Sequence, residues 1–337
     1  MGSEHEEWLK LTMEDTIDSA LPICDPHHHL WDHPDDRYLL EELLQDIGGG
    51  HNIVQTVFIE VKSKYKEDGP LELRPVGETE FVQGIAERSA SGQYGMTRVA
   101  AGIVGFADLT LGSAVAPILE AHVAASSRFR GIRHICTWDE SPDIKFSGKF
   151  MGMMLDAKFR EGFAYLHKYN LSFDSWLFHT QLMELVDLAR SFPETTIIVN
   201  HVGGFLGIGP YAGKHEEVFQ EWKNGISALA TCPNVFMKLG GFGMPRWGFG
   251  WRERAKPPRS IELAEAIAPY CNWCIEQFGI DRCMFESNFP VDKISYSYNV
   301  LWNAFKRITE YCSADEKAAL FHDTAVRAYR LATDHEG

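Results

Sequence analysis

Apolar residues occur along the chain in short, nearly continuous runs, and a helix-like stretch follows most of these runs. The runs cover residues 21–24, 52–61, 97–106, 129–135, 171–177, 195–202, 235–239 and 282–289. Near-continuous apolar strands are typical of parallel sheets that are buried on both faces. Eight such strands alternating with helices predict an α/β fold. In a chain of 337 residues, we expect them to close into a (β/α)8 TIM barrel with long loops at its C-terminal face.

One domain accounts for this pattern, because no change in composition marks a linker. We expect an N-terminal arm over residues 1–20, a single barrel domain over 21–331 and a C-terminal tail over 332–337. No apolar stretch is long enough to span a membrane, which takes about 18 residues or more. The N-terminus is acidic where a signal peptide would be basic and then apolar. The sequence therefore predicts a cytoplasmic protein.

Charge and cysteine content exclude several classes of partner. The formal net charge of −15 argues against nucleic acid or an acidic membrane, since both need a basic surface. The seven cysteines show no framework spacing, so we expect reduced, buried thiols. Cys271 and Cys274 have C-x-x-C spacing, but a zinc site would need two more ligands of this kind, so we interpret them as core residues.

Polar residues with catalytic chemistry gather at or just past the C-terminal ends of the predicted strands. They are His27, His29, Glu60, His134, His179, His201 and Asn288. His27 and His29 are two positions apart on a strand, so their side chains share one face. Active sites of barrels lie at this end of the strands. A buried histidine is often only a packed core residue, but scattered core histidines would have no reason to share this end, so we interpret the group as a site.

Three motifs carry a resemblance to a known family. They are residues 25–29 (DPHHH), 200–204 (NHVGG) and 287–291 (SNFPV), on the first, sixth and eighth strands. In this order they resemble the amidohydrolase superfamily, in particular the amidohydrolase-related (amidohydrolase 2) branch of L-fuconolactone and 2-pyrone-4,6-dicarboxylate lactonases, with aromatic-acid decarboxylases as more distant relatives. The resemblance covers residues 21–331. It implies that His27 and His29 are the first-strand pair, that His201 binds a metal or polarises a carbonyl, and that His179 occupies the fifth-strand region.

One position departs from the family pattern. The family carries an aspartate on the eighth strand that activates water, whereas this chain has Asn288, and an amide cannot take a proton near neutral pH. Glu286 lies two residues earlier with the same strand parity, so our hypothesis is that it supplies the missing carboxylate; a buried ion pair with Lys238 or Arg133 is the alternative. The predicted catalytic residues are His27, His29, His201, Glu286 and Asn288.

The resemblance also implies a divalent metal, zinc or manganese, held by His27, His29 and His201. Such an ion would lower the pKa of bound water to ~7. Some lactonases of this branch work without metal and polarise the carbonyl with histidines and arginines, and the loss of the eighth-strand aspartate favours that mode. Residues 205–210 (FLGIGP) lack the pattern of a phosphate loop. We expect no nucleotide or organic cofactor.

The segment 240–259 carries five basic residues against one acid, together with four large aromatic residues. Over the mouth of a barrel, such a loop indicates a small-molecule substrate that is anionic or aromatic. The alternative is an oligomer interface, where arginine and tryptophan are also enriched. The predicted substrate-binding residues are Trp31, Arg133, His134, His179, Arg246, Trp247 and Trp251.

We therefore predict a hydrolase that opens a lactone or related cyclic ester, of a carboxylated or aromatic small molecule, by attack of activated water at the carbonyl. A non-oxidative decarboxylase of an aromatic acid and an amide hydrolase are alternatives on the same scaffold. A catalytically inactive binding barrel is supported only by Asn288. We also expect a homo-oligomer, as is common for soluble enzymes.

Overall fold

Eight parallel strands form the barrel that the sequence predicts. The computed structural model describes residues 2–34, 36–145 and 148–332. The strands are β1 (Pro22–His28), β2 (Asn52–Ile59), β3 (Arg98–Gly105), β4 (Phe129–Ile135), β5 (Ser172–Trp176), β6 (Ile197–Val199), β7 (Val235–Leu239) and β8 (Cys283–Phe285). Neighbours in the sheet follow the order of the chain from β1 to β8. This order is that of a TIM barrel.

The barrel closes between β8 and β1 at their C-terminal ends. The backbone N–H of His29 donates to the carbonyl of Phe289 at 2.8 Å, and that of Asn288 donates to the carbonyl of His27 at 2.9 Å. The carboxylate of Asp25 accepts the N–H of Ser287 at 3.0 Å. These bonds join the first and third motifs, so the histidine pair and Asn288 come from adjacent strands.

Helices pack around the outside of the strands. They are α1 (Ser3–Leu9) in the N-terminal arm, α2 (Leu40–Ile47), α3 (Val76–Ala90), α4 (Ala116–Ala125), α5 (Ala157–Lys168), α6 (Leu182–Ser191), α7 (His215–Ala230), α8 (Ser260–Phe278) and α9 (Tyr298–Ile308). The described chain ends in helical segments at Ala314–Ala318, Ala319–Asp323 and Thr324–Tyr329. A short hairpin, Trp31–His33 paired with Asp36–Tyr38, follows β1. The apolar pattern did not predict this hairpin.

Local sequence explains the helices, as α5 shows. The side chain of Asp156 accepts hydrogen bonds from the N–H groups of Lys158 and Phe159, both at 2.9 Å. It therefore satisfies two of the backbone donors that the first turn of a helix leaves unpaired. Phe159, Phe163 and Leu166 are buried on one face of the helix, at the three- and four-residue spacing of an amphipathic helix.

An apolar cluster in the barrel interior combines side chains of the strands with side chains of the C-terminal helical segment, which covers this end of the barrel. Its members are Cys24, Val57, Ile59, Val104, Ile198, Met284, Ala325, Ala328, Tyr329 and Leu331. Gln55, near the start of β2, donates to the carbonyl of Ala332 at 2.8 Å, which places the end of the described chain at the N-terminal ends of the strands. The candidate site lies at the opposite end of the barrel, where the strands have their C-terminal ends.

Several other predictions can be compared with the described chain. All seven cysteines are free thiols, and Cys271 and Cys274 are buried in α8. Among the described residues, no helix is both long and apolar enough to cross a membrane. Residues 333–337 of the predicted tail lie outside the described residues. The division into arm, barrel domain and tail stays a prediction.

Candidate active site

A cavity of about 540 Å³ opens at the C-terminal ends of the strands. Five predicted site residues line it: His29, Arg133, His201, Arg246 and Asn288. Apolar side chains form much of the remaining wall, among them Ile135, Trp176, Phe178, Leu206, Ile208 and Met244. A concave, mostly apolar site with a few convergent polar groups is typical of small-molecule binding, and this is the end of the barrel where active sites lie.

Three imidazole rings meet beside this cavity. Nε2 of His27 lies 3.3 Å from Nε2 of His29, and the ring centroids of His27 and His201 are 4.6 Å apart. His28 projects the other way, where its Nε2 lies 2.8 Å from Oγ1 of Thr56. The strand parity that the sequence indicated is therefore correct: His27 and His29 share a face.

His201 lies in a sharp turn rather than on a strand. The predicted run 195–202 forms a strand only over Ile197–Val199, and φ is +54° at His201, +47° at Val202 and +75° at Gly203. L-residues rarely adopt these angles, and such strain is often found at functional sites. The turn directs the His201 ring towards the first-strand pair.

The carboxylate of Glu286 joins two of the rings. Its Oε2 lies 2.7 Å from Nδ1 of His27, and its Oε1 accepts hydrogen bonds from Nδ1 of His201 at 2.6 Å and from the N–H of His201 at 3.0 Å. Glu286 is fully buried and is not among the described residues that line the cavity. It therefore reaches the cavity only through the imidazoles. The alternative ion pair with Lys238 exists as a long contact of 4.0 Å.

A buried polar network that sequence analysis did not single out lies beside the histidines. Nζ of Lys238 donates to Oδ1 of Asp174 at 2.9 Å and lies 3.2 Å from Nδ1 of His27. The same oxygen of Asp174 accepts from Tyr329 at 2.6 Å and from Asn200 at 3.1 Å. A signal was available, because Lys238 and Asp174 are charged residues inside otherwise buried strands, and buried charges are almost always paired.

Glu60 holds Arg133 against the histidines. Nε of Arg133 donates to Oε1 of Glu60 at 2.9 Å, and Nη2 donates to the backbone carbonyl of Glu60. Nη1 of Arg133 lies 3.4 Å from Nε2 of His27. Arg133 lines the cavity, so its position is compatible with the predicted role in substrate binding. Glu60, which directly follows β2, supports that position.

Asn288 is oriented by a second buried carboxylate. Its Nδ2 donates to Oδ1 of Asp292 at 2.7 Å, while Oδ2 of Asp292 accepts from the N–H of Gly243 at 2.8 Å and from the hydroxyl of Tyr296 at 2.7 Å. Because its NH₂ group is directed at Asp292, the amide oxygen of Asn288 is the atom available to a ligand in the cavity.

Burial controls the charges of the site. It lowers the pKa of His27, His29 and His201 well below the ordinary value, and nearby Lys238 or Arg133 adds to the effect. The rings are therefore neutral at pH 7, the form that accepts a proton or binds a metal. Burial raises the pKa of Glu286 to about 8, against the effect of Lys238. The neutral, protonated form of Glu286 is therefore favoured near pH 7.

Arg246 lines the cavity together with Met244 and Pro245 of the same 240–259 segment. Its guanidinium carbon lies 4.6 Å from the ring centroid of Trp176 and 5.5 Å from that of Phe178. Its Nε and Nη1 are buried and have no hydrogen-bond partner among the described residues. Burial lowers the pKa of Arg246 to about 10, so the group still carries its charge at neutral pH.

The two tryptophans of the same segment support the loop. Trp247 stacks on Phe205 with ring centroids 5.3 Å apart and donates from Nε1 to the carbonyl of Gly241 at 2.7 Å. Trp251 packs against Phe249 and lines a neighbouring cavity of about 330 Å³. Both side chains are buried. Neither tryptophan is among the described residues that line the main cavity, so their assignment to substrate binding stays a prediction.

Trp31, His134 and His179 do not line this cavity, as far as the chain is described, and His134 lines a separate one. Trp31 packs over His29, with ring centroids 6.4 Å apart. His134 lies 5.3 Å from Phe106, and His179 lies 5.2 Å from Tyr211, again between ring centroids. Their assignment to substrate binding stays a prediction.

The donor atoms of the cluster fit a divalent ion. Donor atoms of His27, His201 and Glu286 all lie within 4.8 Å of one another. Nδ1 of His29 donates to the carbonyl of Ile59 at 2.8 Å, so its Nε2 carries a lone pair. The 3.3 Å between Nε2 of His29 and Nε2 of His27 matches the edge of a zinc tetrahedron with bonds of ~2.0–2.1 Å. Lone pairs on two nitrogens this close repel each other, so a proton or a cation must lie between the two atoms.

These features define a (β/α)8 barrel with a cluster of histidines at the C-terminal ends of its strands. A family model described as Amidohydrolase matches residues 24–331. The chain therefore belongs to the amidohydrolase family, as its motifs predicted, and it is a hydrolase of that family. Enzymes of this family act on small molecules.

Relatives and solved structures agree with this assignment. The chain is 34% identical to an uncharacterised protein of Sinorhizobium fredii, over 93% of this chain and 100% of that protein. It is 26% identical to an L-fucono-1,5-lactonase of Burkholderia ambifaria, over 79% of this chain and 87% of the lactonase. An amidohydrolase of Burkholderia multivorans, solved with bound zinc, matches with a TM-score of 0.70 and 23% identity over 92% of this chain and 99% of that one. At this identity, the match shows the fold alone.

Proposed function

We propose that the protein opens a lactone or related cyclic ester by attack of water on the ring carbonyl. The observation that carries the proposal is the lining of the cavity. His29, Arg133 and His201 converge there, and no serine, threonine, cysteine or tyrosine is among the described lining residues. Without a hydroxyl or thiol nucleophile, water is the natural attacking group. The similarity to a fuconolactonase supports a lactone as the substrate.

Each polar group has a role in this reaction. Arg133, fixed by Glu60, donates from Nη1 to the oxyanion that forms at the carbonyl. The amide oxygen of Asn288 accepts a hydrogen bond from the attacking water and orients it. His201 is held through Nδ1 by Glu286, so its Nε2 is free to take a proton from that water, as in other carboxylate–histidine pairs.

Zinc or manganese would be held by the imidazoles of His27, His29 and His201, whereas the described donor atoms that lie within 4.8 Å of one another belong to His27, His201 and Glu286. Such an ion would polarise the carbonyl and lower the pKa of water to ~7, which would offset the presence of Asn288 in place of the eighth-strand aspartate. In that form His201 would be a ligand, whereas in a metal-free form its Nε2 would be the proton acceptor. Elemental analysis of the purified, untagged protein and of His27→Ala by plasma mass spectrometry distinguishes the two forms.

A panel of sugar lactones, carboxylated lactones and pyrones tests the proposal. We expect proton release at constant pH with at least one lactone, and loss of that activity in His201→Gln. Each assay also measures carbon dioxide from aromatic acids and ammonia or amine from amides. Carbon dioxide without ring opening would replace the proposal with a decarboxylase, and amine release with an amide hydrolase. Tight binding of ring compounds with no turnover would indicate an inactive binding barrel.

A further inference from the structure

We propose that the substrate carries a carboxylate, which Arg246 binds on the aromatic wall formed by Trp176 and Phe178. This inference rests on the proposed function, because it names the chemical class of the substrate of the same cavity. It makes Arg246 a specificity-determining residue: the ring carbonyl lies at the histidines and the carboxylate at the 240–259 segment.

The structure distinguishes Arg246 from the other arginines of the segment. Arg254 pairs with Glu262 at 2.6 Å, and Arg259 lies 3.7 Å from Glu14. Arg252 is exposed and lies 3.7 Å from Glu253. Among the described residues, Arg246 is the only basic residue of the segment that lines the main cavity, and no described carboxylate forms an ion pair with it.

The donors of Arg246 lack a partner that the described protein could supply. Nε and Nη1 are buried without a hydrogen bond to any described residue. A buried donor without a partner costs about 1–3 kcal/mol, and more when it is charged. Native proteins rarely accept that cost, so such a donor calls for an explanation. A ligand anion in the cavity would supply the missing acceptor.

The surroundings of Arg246 hold its guanidinium ready for a flat anion. Contact with the ring faces of Trp176 and Phe178 stabilises the cation and fixes its plane. The backbone carbonyl of Arg246 accepts the N–H of Gly207 at 2.8 Å, which anchors the residue. A fixed planar guanidinium matches the two oxygens of a carboxylate better than a point charge would.

The charges of the cavity favour a single carboxylate over a phosphate dianion. Arg133 is already paired with Glu60. Lys145 is exposed at the rim, where Asp143 also lines the cavity. Arg246, whose Nε and Nη1 atoms are buried, therefore offers one positive charge to a ligand. The adjoining wall of Leu206, Ile208 and Met244 suits the apolar face of a ring. The ligand class is thus a cyclic ester that bears one carboxylate.

Calorimetric titration of the full-length protein with inert ring acids tests the inference. The probes are pyroglutamate and 2-pyridone-6-carboxylate, each paired with its uncharged carboxamide. We expect at least one acid to bind about 10- to 100-fold more tightly than its amide, as the loss of a charge-assisted hydrogen bond implies. Arg246→Gln should abolish this preference, and Arg246→Lys should retain part of it. Arg252→Gln, on the same segment but exposed, is the matched control and should keep it.

Three results would overturn the inference: equal affinity for acids and amides, no binding of either acid, or an unchanged preference in Arg246→Gln with a native circular dichroism spectrum. Inorganic phosphate binding as tightly as the acids would overturn the choice of carboxylate. The proposed function fails separately. Acid binding through Arg246 without hydrolysis of any lactone would leave the inference standing and reject lactone hydrolysis. Hydrolysis of uncharged lactones with no preference for acids would reject the inference and leave lactone hydrolysis standing.

Discussion

At the scale of single residues, Glu286 is fully buried and lies beside two imidazole rings of the candidate site. Parity on the eighth strand singled it out as a general base. Its two oxygens instead contact Nδ1 of His27 and of His201, behind the surface of the cavity. We now propose that Glu286 is a positioning residue, which fixes the orientation of both rings, as carboxylates beside functional histidines often do.

Glu286→Gln is expected to keep the fold and to lower kcat/KM by about 10- to 100-fold. The Gln oxygen can still accept from His201, but its NH₂ group would donate to Nδ1 of His27 and so keep a proton on Nε2 of that ring. Thermal melting and steady-state kinetics on an active lactone provide the measurement. Glu78→Gln is the control, because Glu78 is equally buried but bonds the N–H groups of Val61 and Ser63. Unchanged turnover in Glu286→Gln would reject the positioning role.

At the scale of elements, the turn after β6 determines where His201 points. Gly204 has φ +67°, and a Cβ added there would lie 1.9 Å from the carbonyl oxygen of Leu177. Both the backbone conformation and the space therefore require glycine. The apolar pattern extended this strand through residue 202, because hydrophobicity carries no information about left-handed backbone angles at His201 and Val202.

Gly204→Ala should destabilise the protein by at least about 3 kcal/mol, since it adds a steric clash to a strained backbone angle. Gly213→Ala is a matched control: its φ is +75°, but nothing lies within 4 Å of the added Cβ. We expect that control to cost only about 1 kcal/mol. Urea unfolding followed by circular dichroism measures both. Similar losses in the two variants would mean that the clash at Leu177 is relieved by movement of the turn.

At the scale of the whole molecule, buried histidines link stability to pH. Burial lowers the pKa to about 4 at His28, His51, His122, His134 and His179. The folded protein therefore binds fewer protons than the unfolded chain between pH 4 and the ordinary histidine pKa of about 6.5. The contribution of these neutral histidines to the free energy of unfolding is complete above pH 6.5 and is lost as the pH falls towards 4. Buried acids with a raised pKa, such as Asp25 and Asp292, act in the opposite sense, so one histidine is best tested alone.

His122→Gln provides that test away from the site. Nε2 of His122 donates to the carbonyl of Phe106 at 3.0 Å, and Nδ1 lies 2.8 Å from Oγ1 of Thr79. Loss of these bonds should destabilise the variant at pH 8. Between pH 8 and pH 5, however, the wild type should lose about 2 kcal/mol more than the variant, the linkage cost of keeping this histidine neutral. Urea unfolding at the two pH values checks this, and parallel pH dependence would contradict it.

Two predictions for the whole molecule stay predictions. The homo-oligomer rests on the general habit of soluble enzymes, and the cytoplasmic location rests on the composition of the N-terminus. Sedimentation of the purified protein would test the first. If copies associate through the 240–259 segment, the exposed Arg252 would be a residue to examine at that interface.

The amino-acid pattern alone was enough to predict the barrel and the family, and it indicated the strand ends at which the candidate site lies. Burial of eight parallel strands leaves a periodic apolar pattern, and the parity of His27 and His29 follows from the strand repeat. The contacts between the side chains of the candidate site could be seen only in the folded chain. The fold placed Glu286 behind the rings and selected Arg246 from the basic residues of its segment. Contacts between residues as distant in the chain as Lys238, Asp174 and Tyr329 depend on how the strands close around one another, which no local pattern records.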